Sequence, residues 1–129
     1  MQAYEVFRDN VSMAFLDSKP LFYGHTLLIP LAHYETLCDL PNELVQPIFA
    51  NAKKLALAVK VAMSSDGILV LINNKVSQSV PHLHIHIIPR RFKDGLRGFL
   101  WPRKEYKTRD EVLSVQKAIR EAFEKLGLW

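Results

Sequence analysis

A chain of 129 residues has room for one domain with a core of its own, and a composition that is 49% apolar and 23% charged excludes the disordered and fibrous classes. No apolar run approaches the roughly 20 residues needed to cross a bilayer, and the opening Met1-Gln2-Ala3-Tyr4-Glu5 lacks the basic and apolar regions of an export signal. Cys38 is the single cysteine, which excludes an intrachain disulfide and a Cys-x-x-Cys zinc site, so an inert thiol and a cytoplasmic location are expected. The net charge of +4 is uneven: residues 90–107 carry +5 and the remainder −1.

In chain order, Tyr4 to Arg8 and Val11 to Leu16 read as two strands about an Asp9-Asn10 turn. Asp17-Ser18-Lys19-Pro20 breaks the pattern, and Tyr23 to Ile29 reads as a third strand ended by Pro30. From about Pro41 to Ser64 the spacing turns helical, with Leu44, Ile48, Ala52, Leu55, Val59 and Ala62 on one face. Pro47 is expected to kink this helix or to mark the start of its main part. Ile68 to Ile72 reads as a fourth strand, 73–79 as a loop, and His82 to Ile88 as a fifth strand. Thr108 with Glu111 forms a capping box for a last helix, which carries Val112, Val115, Ile119, Phe123 and Leu126 at helical spacing and ends at Gly127. Strands, a helix, strands and a helix give an α+β fold with a largely antiparallel sheet, in one domain over 1–129.

Three of the five histidines stand at alternate positions, His82, His84 and His86, with Leu83, Ile85 and Ile87 between them. On a strand they would share one face, neighbours about 6.6 Å apart, while the aliphatic residues face the core. Three uses of such a row compete. A zinc hydrolase would have adjacent members of the row converge on one ion, with further ligands from His25, His33 or carboxylates, and convergence of all three would need strong leaning. A merely polar sheet face would need nothing further. A nucleophile would use the middle ring, because a free imidazole with a pKa of about 6.5 is largely neutral at pH 7. The flanking rings, with Gln78, Ser79 and Asn74, would then hold the oxygens of a phosphate.

The segment Gln78-Ser79-Val80-Pro81-His82-Leu83-His84-Ile85-His86-Ile87-Ile88-Pro89-Arg90 resembles the signature of the histidine triad (HIT) superfamily. Upstream, Ala14-Phe15-Leu16-Asp17, Gly24-His25-Thr26-Leu27-Leu28-Ile29-Pro30 and His33 resemble that family's nucleotide-binding half, and Asn73-Asn74 resembles a third conserved block. The resemblance covers residues 4–90 and implies a five-stranded, mostly antiparallel sheet with one long central helix and a C-terminal helix. It implies hydrolysis or nucleotidyl transfer at the α-phosphate of nucleoside phosphoramidates or dinucleoside polyphosphates, with His84 as nucleophile. His82 would orient His84, partly through its backbone carbonyl. His86 and His25 would contact α-phosphate oxygens, Gln78 the bridging oxygen, and Ser79 the leaving group. Asp17 would bind ribose hydroxyls, and Phe15 and Leu27 would sandwich a purine base, with Asn73 or Asn74 as the site asparagine.

The loop at 74–78 is about two residues shorter than in many relatives and lacks their glycines. His86, where another branch has glutamine, points to the hydrolase branches. No cofactor is expected beyond Mg accompanying a polyphosphate substrate, and the partners expected are a purine nucleotide derivative and a second copy of the chain. Neither a membrane nor nucleic acid is an expected partner, and no helix-turn-helix, finger or RNA-recognition signature is present. The basic window 90–107 reads as a positive rim that leans towards polyphosphates, or as a solvated loop. Phe99 and Trp101 would anchor that loop, and residues 94–103 would tune substrate choice. The competing reading is a nucleotide-binding scaffold with incidental catalysis.

Overall fold

The hydrophobic pattern closes into a single antiparallel sheet in a computed structural model that describes residues 3–96 and 103–129. Strands β1 (Glu5–Arg8), β2 (Ser12–Leu16), β3 (Thr26–Pro30), β4 (Gly67–Leu71) and β5 (Ile85–Arg90) lie in the order β1-β2-β3-β5-β4. Helix α1 (Asn42–Ala62) runs between β3 and β4, and α2 (Arg109–Leu126) follows β5. This is the α+β arrangement expected. The chain divides into two compact units, Met1–Asp94 with the sheet and α1, and Gly95–Trp129 with α2.

Strand periodicity of two sorts the sheet into two faces. Ser12, Ala14, Thr26, Leu28, Ile85 and Ile87 are buried. Ala14, Leu28, Ile85 and Ile87 pack with Ile48, Ala52, Leu55 and Val59 of α1 into one core. Opposed residues of an antiparallel pair share a face. The register Phe15↔Leu27, Leu27↔His86 and Leu71↔His86 therefore places Phe15, Leu27, His86 and Leu71 in one cross-strand row on the face away from α1.

Helix α1 is continuous from Asn42 through Pro47, so the proline does not mark its start. So near the N-terminus it removes a single intrahelical bond. Ala62, expected on the inner face, is exposed, and the inner face includes Asn51. Asn51 is 2% exposed and donates through Nδ2 to Asp9 Oδ2 and Ser12 Oγ, both at 2.8 Å. The same Asp9 accepts the N–H groups of Val11 and Ser12, so one carboxylate closes the β1–β2 turn and ties it to the helix. Those backbone bonds, Val11 first, hold the Asp9 carboxyl below its usual range.

The second unit carries the expected caps in part: the Glu111 carboxylate accepts the Lys107 N–H at 2.8 Å rather than that of Thr108, so the capping box is not reciprocal. Thr108 Oγ1 accepts the Glu111 N–H at 3.2 Å, and Gly127 closes the helix in the left-handed region at φ 65°. Its apolar stripe, Val112, Val115, Ile119, Phe123 and Leu126, is exposed. No helix among the described residues is long and apolar enough to cross a membrane.

Candidate active site

The triad segment departs from a simple strand. Strand β5 begins at Ile85, so of the three rings only His86 belongs to the ladder, and His82 and His84 lie on the chain entering it. The in-out alternation nevertheless persists: His82, His84 and His86 are half-buried while Leu83, Ile85 and Ile87 are buried. The entry segment is held from outside the sheet, by the Leu83 N–H donating to the Tyr34 carbonyl at 2.6 Å. The His84 and His86 ring centroids lie 5.0 Å apart, closer than a flat row would set them.

The His25, His82 and His84 rings each meet a backbone group whose donor or acceptor role is fixed, and for neutral rings the hydrogens of His33 and His86 follow in turn from those three. The His82 carbonyl lies 2.7 Å from His84 Nδ1 and can only accept, so His84 carries its hydrogen on Nδ1 and keeps a lone pair on Nε2. The Pro30 carbonyl lies 3.1 Å from His82 Nε2, which therefore donates. His82 Nδ1 is then an acceptor, and His33 Nδ1, 3.3 Å away, donates to it. The Leu21 N–H donates to His25 Nδ1 at 3.1 Å, so the His25 hydrogen sits on Nε2, 2.9 Å from His86 Nδ1. Burial lowers the His25 pKa, with Asp17 pulling the other way. It lowers that of His86 to about 4, aided by His25 and His84. Both rings are thus neutral at pH 7.

Loop geometry explains how His25 reaches this place. The Asp17 N–H donates to the His25 carbonyl at 2.9 Å, continuing the β2–β3 ladder beyond its last strand pair. Gly24 precedes the histidine at φ +99°, and a Cβ there would lie 2.5 Å from Met63 Cγ. A glycine is needed both for the backbone angle and for the close approach. Asp17 Oδ1 accepts the Lys19 N–H, making an Asx turn, while Oδ2 lies 3.6 Å from His25 Nε2.

Asp17, His25 and His86 offer ligand atoms within 4.8 Å of one another. The donor set nonetheless does not suit a cation. With Nδ1 accepting from Leu21, His25 presents an N–H rather than a lone pair towards the other two residues. Ligation would require losing that bond or forming an imidazolate. The trio fits a hydrogen-bonded chain.

The remaining expected site residues divide into two groups. Phe15 and Leu27 are half-buried beside His86 on the face that α1 leaves uncovered. Gln78 and Asn74 are instead engaged with the neighbouring chain. Gln78 Oε1 accepts the Lys75 N–H at 2.8 Å and its Nε2 donates to the Glu35 carbonyl at 2.6 Å. Asn74 Oδ1 accepts the Leu37 N–H at 2.7 Å. These bonds stitch the 74–78 loop to 35–37 across a backbone in which Lys75 (φ 72°) and Ser77 (φ 61°) take the left-handed conformation. Ser79 is exposed on the same loop.

His33, absent from the expected catalytic set, proves to be a direct neighbour of His82; its position after Pro30 was the only sequence signal for it. In the basic window, Arg90 forms a two-point ion pair with Asp94, at 2.6 and 3.0 Å, which raises its pKa, and Arg91 donates to the Met63 carbonyl. Arg97, Phe99 and Trp101 lie outside the described residues.

The family model described as the HIT domain matches residues 2–93. An HIT-like protein of Saccharolobus solfataricus is 35% identical over 127 residues, covering 95% of this chain and 90% of its own. An adenosine 5'-monophosphoramidase of Saccharomyces cerevisiae is 38% identical over 107 residues, covering 80% of this chain, which spans 64% of the yeast protein. Among solved structures, a HIT family member from Bacillus subtilis superposes with a TM-score of 0.82 at 31% identity, covering 94% of this chain and 88% of that one. With the family model spanning the sheet, α1 and all five histidines, the chain belongs to the HIT family.

Proposed function

We propose that the protein is a nucleotide hydrolase or nucleotidyl transferase that cleaves at the α-phosphorus of a nucleoside phosphoramidate or dinucleoside polyphosphate. The observation that carries this reading is the bond from His84 Nδ1–H to the His82 carbonyl. It leaves the Nε2 lone pair available to attack, and it supports the positive charge that develops once Nε2 is bonded. In the first step a phosphorus–nitrogen bond forms to His84 as the bond to the leaving group breaks, and that group takes the electron pair and a proton from solvent, a phosphoramidate's nitrogen leaving as the amine. In the second, water attacks phosphorus and returns a proton to solvent, the pair of the phosphorus–nitrogen bond returns to Nε2, and a nucleoside monophosphate is released.

The half-buried apolar row of Phe15 and Leu27 gives a base a surface to lie on, contiguous with His86. Asp17, just after β2, is assigned to the ribose hydroxyls. Phosphoramidates are the favoured class. Arg90 is engaged with Asp94 rather than held for a polyphosphate chain, and the similar yeast protein is an adenosine 5'-monophosphoramidase.

The test is to mix the protein with an adenosine phosphoramidate radiolabelled at phosphorus and quench in parallel in acid and in base. A label that survives base, is lost in acid and maps to His84 supports the reading. Monophosphate binding with no turnover and no adduct would identify a scaffold instead.

A further inference from the structure

We infer that His25 is a positioning residue whose Nε2–H fixes the tautomer of His86, so that His86 presents Nε2–H as a neutral hydrogen-bond donor to an anionic oxygen of the substrate. The inference rests on the reading of His84 as a nucleophile towards phosphorus. Its starting point is a backbone group. The Leu21 N–H can only donate, and it points at His25 Nδ1 from 3.1 Å. His25 is 4% exposed, so its ring cannot exchange this partner for water. Its hydrogen must sit on Nε2, where His86 Nδ1 is 2.9 Å away and Asp17 Oδ2 is 3.6 Å away. The carboxylate and the neighbouring ring both favour a hydrogen at that position.

His86 Nδ1 is thereby an acceptor, and a neutral imidazole with one nitrogen accepting carries its hydrogen on the other. That other atom, His86 Nε2, is a buried side-chain polar atom with no hydrogen-bond partner among the described residues. A buried N–H left unpaired is costly, and an incoming oxygen would satisfy it. The ring that bears it lies 5.0 Å, centroid to centroid, from the His84 ring.

The tautomer decides the sign of the interaction. With the hydrogen on Nε2, His86 attracts a phosphate oxygen. With the hydrogen on Nδ1, it would aim a lone pair at that oxygen and repel it. His25 therefore acts at one remove. It is too enclosed, and both its nitrogens are too well occupied, to take a phosphate oxygen itself, which replaces the contact role that the family resemblance implied for it. His86 donates without giving up its proton, so no charge need be created in a buried site.

The experiment reads ring tautomers from long-range proton–nitrogen spectra of the full chain, uniformly labelled with nitrogen-15, at neutral pH and without ligand. The His86 signals are identified by their loss in His86→Asn. The expected result is Nε2–H for both His25 and His86. In His25→Phe the His86 ring should no longer hold a single Nε2–H form, and kcat on an adenosine phosphoramidate should fall about 100-fold with a much smaller change in KM. His25→Gln, whose amide N–H can reach the same position, should restore both the tautomer and most of the rate. A wild-type His86 with its hydrogen on Nδ1, or one that keeps Nε2–H in His25→Phe, would overturn the inference. The spectra are taken on free protein, so they decide the matter whether or not His84 forms an adduct.

Discussion

The backbone carbonyl of His82 accepts a 2.7 Å hydrogen bond from His84 Nδ1, and this contact between two triad members fixes which nitrogen of His84 keeps a lone pair. It is a bond from a side chain to the main chain two residues earlier, so the segment can make it without any help from distant parts of the fold. Substituting His84 by Ala removes the proposed nucleophile and leaves the His82 carbonyl and the Phe15–Leu27 row in place. Turnover of a nucleoside phosphoramidate should drop by at least about 10⁴-fold, as when other covalent nucleophiles are deleted. The dissociation constant for adenosine monophosphate, measured by calorimetry, should change little. Near-normal rates in His84→Ala would remove the nucleophile from the scheme.

Acid should destabilise the fold through the half-buried ring of His86. Its folded pKa of about 4 lies below the 6.5 of a free imidazole, chiefly because burial disfavours the cation, with His25 and His84 adding to the effect and Asp17 opposing it. Between those two values the unfolded chain binds a proton that the folded chain refuses, so stability falls as pH drops from about 6.5 towards 4 and the contribution is complete above 6.5. His25, lowered mainly by burial, acts in the same direction. Thermal unfolding followed between pH 4.5 and 7 should show this slope, and His86→Asn should flatten it by at most about 1.4 kcal/mol per pH unit, the limit for one proton. An unchanged slope in the variant would show that His86 titrates alike in both states.

Parts of this architecture were legible in sequence because they depend on local rules. The cap at Thr108 and the left-handed Gly127 are examples, as is the alternation that buries Leu83, Ile85 and Ile87 and leaves the histidines half-buried. What was not legible depends on where a distant chain passes. The start of β5 at Ile85 rather than His82 reflects a bond from the Leu83 N–H to the Tyr34 carbonyl. Gln78 meets the Glu35 carbonyl, and Asn51 meets Asp9, across separations no periodicity records. The tautomer of His25 hangs on the Leu21 N–H, a group that every residue but proline carries and that no motif can mark.

The loop before the triad should respond to relief of its backbone strain. Ser77 takes φ 61° without being glycine, and Lys75 takes φ 72°. The left-handed conformation costs an ordinary residue roughly 1–2 kcal/mol, of which glycine would recover part against its own greater entropy loss. Ser77→Gly should therefore be neutral or stabilising by up to about 1 kcal/mol in urea unfolding, whereas Ser77→Val should destabilise. Gln78→Ala removes both side-chain bonds of the loop clasp, to the Lys75 N–H and the Glu35 carbonyl. Faster amide exchange at 74–79 with an unchanged core is the expected signature. Equal protection in Gln78→Ala and the parent would show that the loop does not need the clasp.

Asn51 offers the most direct test of how the β1–β2 turn is held to α1. Its buried amide satisfies Asp9 Oδ2 and Ser12 Oγ at once, and the other Asp9 oxygen holds the turn's own N–H groups. Asn51→Ala leaves a part-buried carboxylate and a buried hydroxyl short of a donor, a cost of about 1–3 kcal/mol. Asn51→Leu keeps more volume but places an apolar group against the same carboxylate, so it should fare no better in spite of its hydrophobicity. The double variant Asn51→Leu with Asp9→Asn removes the charge that needs the donor. If the interaction runs through that carboxylate, the second change should cost less in the Asn51→Leu background than in the parent, a coupling readable from chemical denaturation. Strict additivity of the two changes would place the effect of Asn51 elsewhere in the core.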